Sequence, residues 1–419
     1  LFKRLNKKSY FCFRSIANVA PAITKILIMN KKLFSLALGG LGIGTTEFII
    51  MGLMQDIAQS LHISIPMAGY LISAYALGVI VGAPLLVAVS VKYNPKKVLI
   101  GLMVLFTFFN GISAAAPDFY SLLFARFFSG LPHGAFFGIG AVVASKLAKE
   151  GKQAQAISMM FAGLTVANLA MVPLVTYLGH EYSWRLAFII VGIIGLITIL
   201  FLTIWLPSIS FDQQSSIKEE LRFFKTKKAW HILIITAVGF GGLFAWFSYI
   251  SPLMTHVSGF SMKSVSYIML VAGAGMVAGN LTGGIMADKM APEKASAILL
   301  LSLMVALTGV FLFSGNPVVS ISLTFICGAL SMAVGSPINI LMIRSAEKSA
   351  MMGAAFMQAA FNMANSIGAY FGGLPIAFGL GYNYPSFVGA IMAFIGLLLT
   401  VSFMMRYSNA KNGSQLATN

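Results

Sequence analysis

Gly82, Lys92, Pro95 and Lys97 close one long apolar stretch of this chain, and 197 residues further on Gly279, Lys289, Pro292 and Lys294 close another. The same offset pairs Gly42 with Gly239, Gly44 with Gly241, Tyr70 with Tyr267, Gly78 with Gly275, Gly138 with Gly335, Glu150 with Glu347, and Ala167-Asn168 with Ala364-Asn365. One register therefore runs through nearly the whole chain without an insertion, which marks a tandem duplication. Two parallel copies on a hydrophobic chain are typical of carriers that rock one half against the other.

Hydrophobic residues make up 58% of the chain and charged residues 9%, far from the balance of a water-soluble domain. A bilayer-crossing helix needs ~20 mostly apolar residues, and twelve such stretches lie between Leu33 and Met405. The expected fold is all-α and integral to the membrane, with twelve transmembrane helices as two six-helix bundles. The bundles cover residues 33–206 and 229–405, with a basic segment 1–32 before them, a linker 207–228 between them and a tail 406–419. In the linker, Ile217, Leu221 and Phe224 recur at helical spacing beside Lys218, Arg222 and Lys225. A short helix lying on the membrane surface and a flexible tether both fit.

The net charge of +17 raises the question of nucleic acid, which the positions of the charges answer. All but three of the 28 Lys and Arg fall in the N-terminal segment, the tail or the even-numbered connections; Arg185 and Lys263 lie near the opposite surface and Arg126 lies inside a helix. By the positive-inside rule both termini are cytoplasmic, and no folded basic domain remains for nucleic acid. Cys12 and Cys327 predict neither a disulfide framework nor a thiolate metal site. Met29-Asn30-Lys31-Lys32 runs straight into helix 1, so Met29 reads as the native start; a cleaved signal peptide, with small residues near Ile16 to Ala22, is the alternative.

Glu47 and Arg126 are the charged residues that lie deep in apolar stretches. Each costs about 2.5–3.5 kcal/mol at a helix centre on insertion scales unless it finds a partner or a wet cavity. Glu47 comes eight residues before Gln55 on an outgoing helix, and Arg126 eight residues after Asp118 on a returning one. Both therefore sit roughly 12 Å below the outer surface, and the two side chains are expected to meet. Burial favours a protonated carboxyl and a neighbouring guanidinium favours the charged one, a balance that a proton-driven carrier can use. A static ion pair joining helices 1 and 4 is the alternative. The repeat places Phe244 and Leu323 at the equivalent positions, so coupling chemistry is confined to the first half.

Candidate cavity residues are His133 and Phe137, on one stripe with Arg126, together with Asn168, Trp246, Tyr249, Asn339, Gln358, Asn362 and Asn365. For each of them ordinary helix packing is the competing reading. Glycines four apart, such as Gly78 and Gly82 or Gly275 and Gly279, allow close helix approach. HExxH, GxxxxGK[ST] and GxSxG motifs are all missing from the sequence, so no enzyme activity, cofactor or nucleotide-driven pump is expected.

The segments TTEFIIMGLMQDIA, ARFFSGLPHGAFFGIGAVVASKL, GLTVANLAMVP, SWRLAF and FAWFSYISPLM carry a likeness that extends from Lys31 to Arg406. The chain resembles the major facilitator superfamily, within it the bacterial drug:proton antiporter branch and especially its arabinose-inducible, sugar-efflux members. The resemblance implies a central cavity lined by helices 1, 4, 7 and 10, gates made by helices 2, 5, 8 and 11, and proton coupling at Glu47 and Arg126. It also implies cytoplasmic gate loops at Lys92, Lys96, Lys97, Asp288 and Lys289. Two departures stand out: Ser90-Val91 precede Lys92 where the family carries an acid, and Met171 and Val175 flank the helix 5 proline motif where the family has glycines. The expected protein is a monomeric, proton-coupled exporter of a small organic solute such as a sugar, drug or metabolite, in a bacterial cytoplasmic membrane. A symporter or uniporter is the alternative within transport, and a membrane-embedded enzyme or receptor the alternative outside it.

Overall fold

The structure is a computed structural model, and it describes residues 31–90, 93–150, 152–208, 225–346 and 350–408. Met29, Cys12, Lys92, Glu347, most of the linker and most of the tail lie outside the described residues. The chain forms α1 (Lys31–Ser60), α2 (Ile65–Ser90), α3 (Pro95–Ala115), α4 (Phe119–Leu147), α5, α6 (Trp184–Trp205), α7, α8 (Val265–Lys289), α9 (Pro292–Phe313), α10 (Pro317–Ala346), α11 (Ala350–Ala377) and α12 (Tyr384–Phe403). Eleven of these, counted with their irregular turns, are long and apolar enough to cross a membrane. The remaining one, α11, has 28 residues and so a length of about 42 Å.

Local chemistry sets the helix starts. Asn94 caps α3 through Lys96 N–H, with Pro95 in the first turn, and Pro292 opens α9 at the equivalent place. A proline has no N–H to lose there, and its φ already suits the helix. Asp118 and Ser121 cap α4 reciprocally, and the Ser121 N–H holds the Asp118 carboxyl below its usual pKa.

α5 and α7 depart from single helices. The first runs as Gln153–Val166, a π turn Ala167–Met171 and Val172–Glu181, with Pro173 just beyond the π turn. The second runs as Lys227–Gly239, Gly241–Phe247, Ile250–Pro252 and a π turn Leu253–Val257. The uninterrupted spans read from the sequence are corrected at both places. A proline cannot donate to the carbonyl four residues earlier and its ring crowds it; at Pro173 and Pro252 the ladder re-forms with another spacing, whereas Pro84, Pro132, Pro337 and Pro375 sit within unbroken helices.

Packing repeats as the sequence does. In the first half α2 packs on α4, α1 on α5, and α3 on α6; in the second α8 packs on α10, α7 on α11, and α9 on α12. Gly78 of α2 lets the Phe127 carbonyl of α4 come so close that any side chain would overlap it, and its repeat mate Gly275 does the same for the Phe325 carbonyl of α10. The halves meet along two seams, α2 with α11 and α5 with α8. Outward-facing Leu77, Phe108, Leu196, Leu281 and Val305 are exposed, as a surface solvated by lipid tails requires.

Candidate functional site

Between the halves lies a cavity of about 740 Å³, within the range of small-molecule sites. It starts at Glu47 and Phe48 and runs to Lys146 and the exposed Ile343, at the end of the molecule that carries Lys31. That basic end is open, and the opposite end is shut. There Gln55 Nε2 donates to Thr255 Oγ1 at 2.7 Å, Ser73 Oγ donates to the Ser366 carbonyl at 3.2 Å, and Lys263 pairs with Glu181 at 2.9 Å, each across the two halves.

Arg126 is fully buried. Its Nη1 donates to Thr46 Oγ1 at 3.0 Å, its Nε to the Leu71 carbonyl at 3.5 Å, and its guanidinium lies 4.3 Å above the Tyr75 ring. Thr46 in turn donates to Asn110 Oδ1 at 2.7 Å. Tyr75 Oη and His133 Nδ1 are 3.0 Å apart, and His133 reaches the cavity wall. The chain Asn110, Thr46, Arg126, Tyr75, His133 thus ties α3, α1, α4 and α2 together beside the cavity.

The expected contact between Glu47 and Arg126 is corrected. Among the described residues no ion pair or hydrogen bond within 4 Å joins them, although they attract one another across the gap. Consecutive helical residues point about 100° apart. With Thr46 turned to the guanidinium, Glu47 turns into the cavity, where its carboxylate is an acidic group of the wall. Equal depth does not imply equal bearing. Thr46, Tyr75 and Asn110 were missed by the sequence reading, and the available signals were weak: a polar pair beside Glu47, and lone polar residues within helices 2 and 3.

His133, Phe137, Asn168, Asn339, Gln358 and Asn362 line the cavity. Asn362 donates to the Gln358 carbonyl at 3.1 Å, and its Oδ1 has no partner among the described residues. Phe48 and Phe244, the latter the repeat mate of Glu47, stack at 6.4 Å over the closed end. The expectation that Trp246, Tyr249 and Asn365 line this cavity is corrected: all three are buried away from it, the first two because the cavity ends at Phe244 while α7 continues to the shut side, and Asn365 because α11 turns Gln358, Phe361 and Asn362 to the cavity instead. Of the gate-loop residues, Lys96 Nζ donates to the Thr203 carbonyl of its own half at 2.7 Å. Lys97, Asp288 and Lys289 are exposed, at the end where the halves stand apart.

Residues 36–357 match the model of the Major Facilitator Superfamily. The chain belongs to that superfamily. AraJ of Escherichia coli (strain K12) is 38% identical over 369 residues, covering 88% of this chain and 94% of AraJ. YdhP of the same organism, named an inner membrane transport protein, is 38% identical over 371 residues, covering 88% and 95%. A chloramphenicol resistance protein of Streptomyces lividans is 28% identical over 383 residues, covering 90% and 96%. The crystal structure of a D-xylose-proton symporter superposes with a TM-score of 0.72 at 17% identity, covering 89% of this chain and 97% of that one, a likeness of fold alone. As a Major Facilitator Superfamily member the protein is a multi-pass membrane secondary transporter and not an enzyme.

Proposed function

We propose that this Major Facilitator Superfamily transporter is a proton-coupled exporter of a small organic solute, with Glu47 as the proton site and Arg126 as its counter-charge. The observation that carries the reading is the Glu47 carboxylate in the wall of the central cavity, facing no ion-pair partner within 4 Å among the described residues, while Arg126 is held at the same level by Thr46 and Tyr75. A carboxylate so placed carries a proton or faces a solute at a cost, since charge at this depth is penalised by about 2.5–3.5 kcal/mol. Solute entering from the basic end takes the space beside Glu47 as its proton leaves. Once the halves rock, a proton from the other side returns to Glu47 as the solute departs.

Export is supported by the relative named for chloramphenicol resistance, since a transporter protects a cell most directly by removing the drug. The phenylalanines Phe48, Phe137, Phe161, Phe240, Phe244 and Phe361, interspersed with the amides of Asn168, Asn280, Gln358 and Asn362, suit an amphipathic solute such as a drug, a metabolite or a sugar derivative. Residues 33–206 and 229–405 are the two moving bodies, tethered by 207–228. The protein works as a monomer in the bacterial cytoplasmic membrane with both termini inside, because every coupling group lies in one chain and the basic connections share one end.

Proteoliposomes loaded with a pH dye test the reading. Adding a panel of sugars, nucleosides and cationic drugs should reveal one class that drives proton movement. Glu47→Gln should abolish that movement and gradient-driven accumulation while leaving downhill exchange. A Glu47→Gln protein that accumulates solute as the unaltered one does would refute the assignment.

A further inference from the structure

The shut end of the molecule contains a side chain that crosses from one half to the other. Tyr249 stands where α7 is broken, between Gly241–Phe247 and Ile250–Pro252, and is 1% exposed. Its hydroxyl donates to the Ala369 carbonyl of α11 at 2.7 Å. The same hydroxyl lies against Gly69 of α2, in the first half, and Gly373 of α11, in the second; a methyl group on either glycine would collide with it. On the same α2–α11 seam, Tyr70 and Tyr370 stack at 6.1 Å, and Ser73 bonds to the Ser366 carbonyl. The phenol therefore fills a slot made by two glycines of opposite halves.

We propose that Tyr249 is the positioning residue that latches the outer end of this transporter, and that the halves part there only after its phenol leaves the Gly69–Gly373 slot. The broken helix is what lets it move. Pro252 cannot donate to the Ser248 carbonyl, and among the described residues Ser248 Oγ and Ser251 Oγ have no partners in the shut state, so the segment lacks one rung of its ladder, while Tyr249 N–H and Leu253 N–H still bond to the Trp246 and Tyr249 carbonyls and Thr255 Oγ1 to the Ser251 carbonyl. The glycines make the latch selective for one state, since the hydroxyl fits only while α2 and α11 touch. The proposal rests on the halves rocking about a central cavity and not on proton coupling.

The test uses the full chain with Cys12 and Cys327 replaced by Ser, and Ser73→Cys as a reporter on the seam. A membrane-impermeant maleimide is added from the outer side of proteoliposomes, and the melting temperature of each variant is recorded alongside. Loss of one neutral hydrogen bond shifts a two-state equilibrium about fivefold, so Tyr249→Phe should raise the labelling rate about fivefold with little change in melting. Gly69→Ala should raise it as well, because its methyl group meets the hydroxyl. In Gly69→Ala/Tyr249→Phe the two effects should not multiply, since the group that collides is gone. Unchanged labelling in Tyr249→Phe, or multiplying effects in the double variant, would overturn the latch. The readout needs neither substrate nor proton gradient, so it stands or falls separately from the Glu47 assignment.

Discussion

Replacing Thr46 with Val exchanges one hydroxyl for a methyl of nearly the same shape and breaks two bonds at the centre of the first half. Thr46 Oγ1 accepts from Arg126 Nη1 at 3.0 Å and donates to Asn110 Oδ1 at 2.7 Å. After the change Arg126 keeps the Leu71 carbonyl and the Tyr75 face, but Nη1 joins Nη2, which already lacks a partner among the described residues, and Asn110 Oδ1 is orphaned. Each orphaned buried group costs about 1–3 kcal/mol. Interhelical hydrogen bonds in membranes average only about 0.6 kcal/mol, a mean this charged and fully buried donor should exceed. Thr46→Val is therefore expected to destabilise the protein by roughly 2–4 kcal/mol. Thr46→Ser keeps both bonds and loses one methyl, a cost of about 1 kcal/mol. Melting of both variants in detergent micelles compares them directly. Thr46→Val/Asn110→Leu, which removes the orphaned acceptor, should recover about 1–3 kcal/mol of the loss. If Val and Ser variants melt together, or the double variant melts below Thr46→Val, the chain from Asn110 to Arg126 is not what holds the guanidinium.

Gly275→Val, which drives a side chain into the Phe325 carbonyl, should cost about 1–3 kcal/mol or more by overpacking. Gly284→Val on the same helix, with open space around it, should melt with the unaltered protein. Tyr75→Phe keeps the ring beneath Arg126 and loses the bond to His133, for about 1 kcal/mol; Tyr75→Leu also loses the cation–ring contact and should melt lower by about a further 2 kcal/mol. Both are read from thermal melts. Ser336→Cys, in the cavity wall, should react with an impermeant maleimide offered to the basic end, and Asn365→Cys should not; equal labelling of the two would contradict the cavity's course.

Much of the architecture was legible because it depends on quantities read along the chain. The twelve apolar stretches, the proline starts at Pro95 and Pro292 and the paired glycines Gly78 and Gly275 all recur as helices and contacts in each half. Segment breaks were less legible: Pro173 and Pro252 are visible, but whether a proline kinks, stops or re-spaces a helix depends on the neighbours that satisfy the freed carbonyl. The candidate site divided in the same way. His133, Phe137, Asn168, Asn339, Gln358 and Asn362 are in the cavity wall, while Trp246, Tyr249 and Asn365 are buried away from it, although all nine read alike as polar or aromatic residues inside helices.

By itself the sequence determined that the chain is duplicated, that it crosses a membrane repeatedly, and that one acid and one base lie at matching depth in the first half. Repeat register, hydrophobic length and rise per residue are all one-dimensional, so nothing beyond the order of residues is needed to obtain them. Only the tertiary structure decided that Glu47 turns to the cavity while Thr46 takes Arg126, and that Tyr249 is buried against the Ala369 carbonyl instead of lining the cavity. Both depend on the rotation of each helix about its axis and on which seam is closed. Close contacts between neighbouring helices set these, and a step of one residue, about 100° of turn, exchanges a cavity-facing side chain for a buried one.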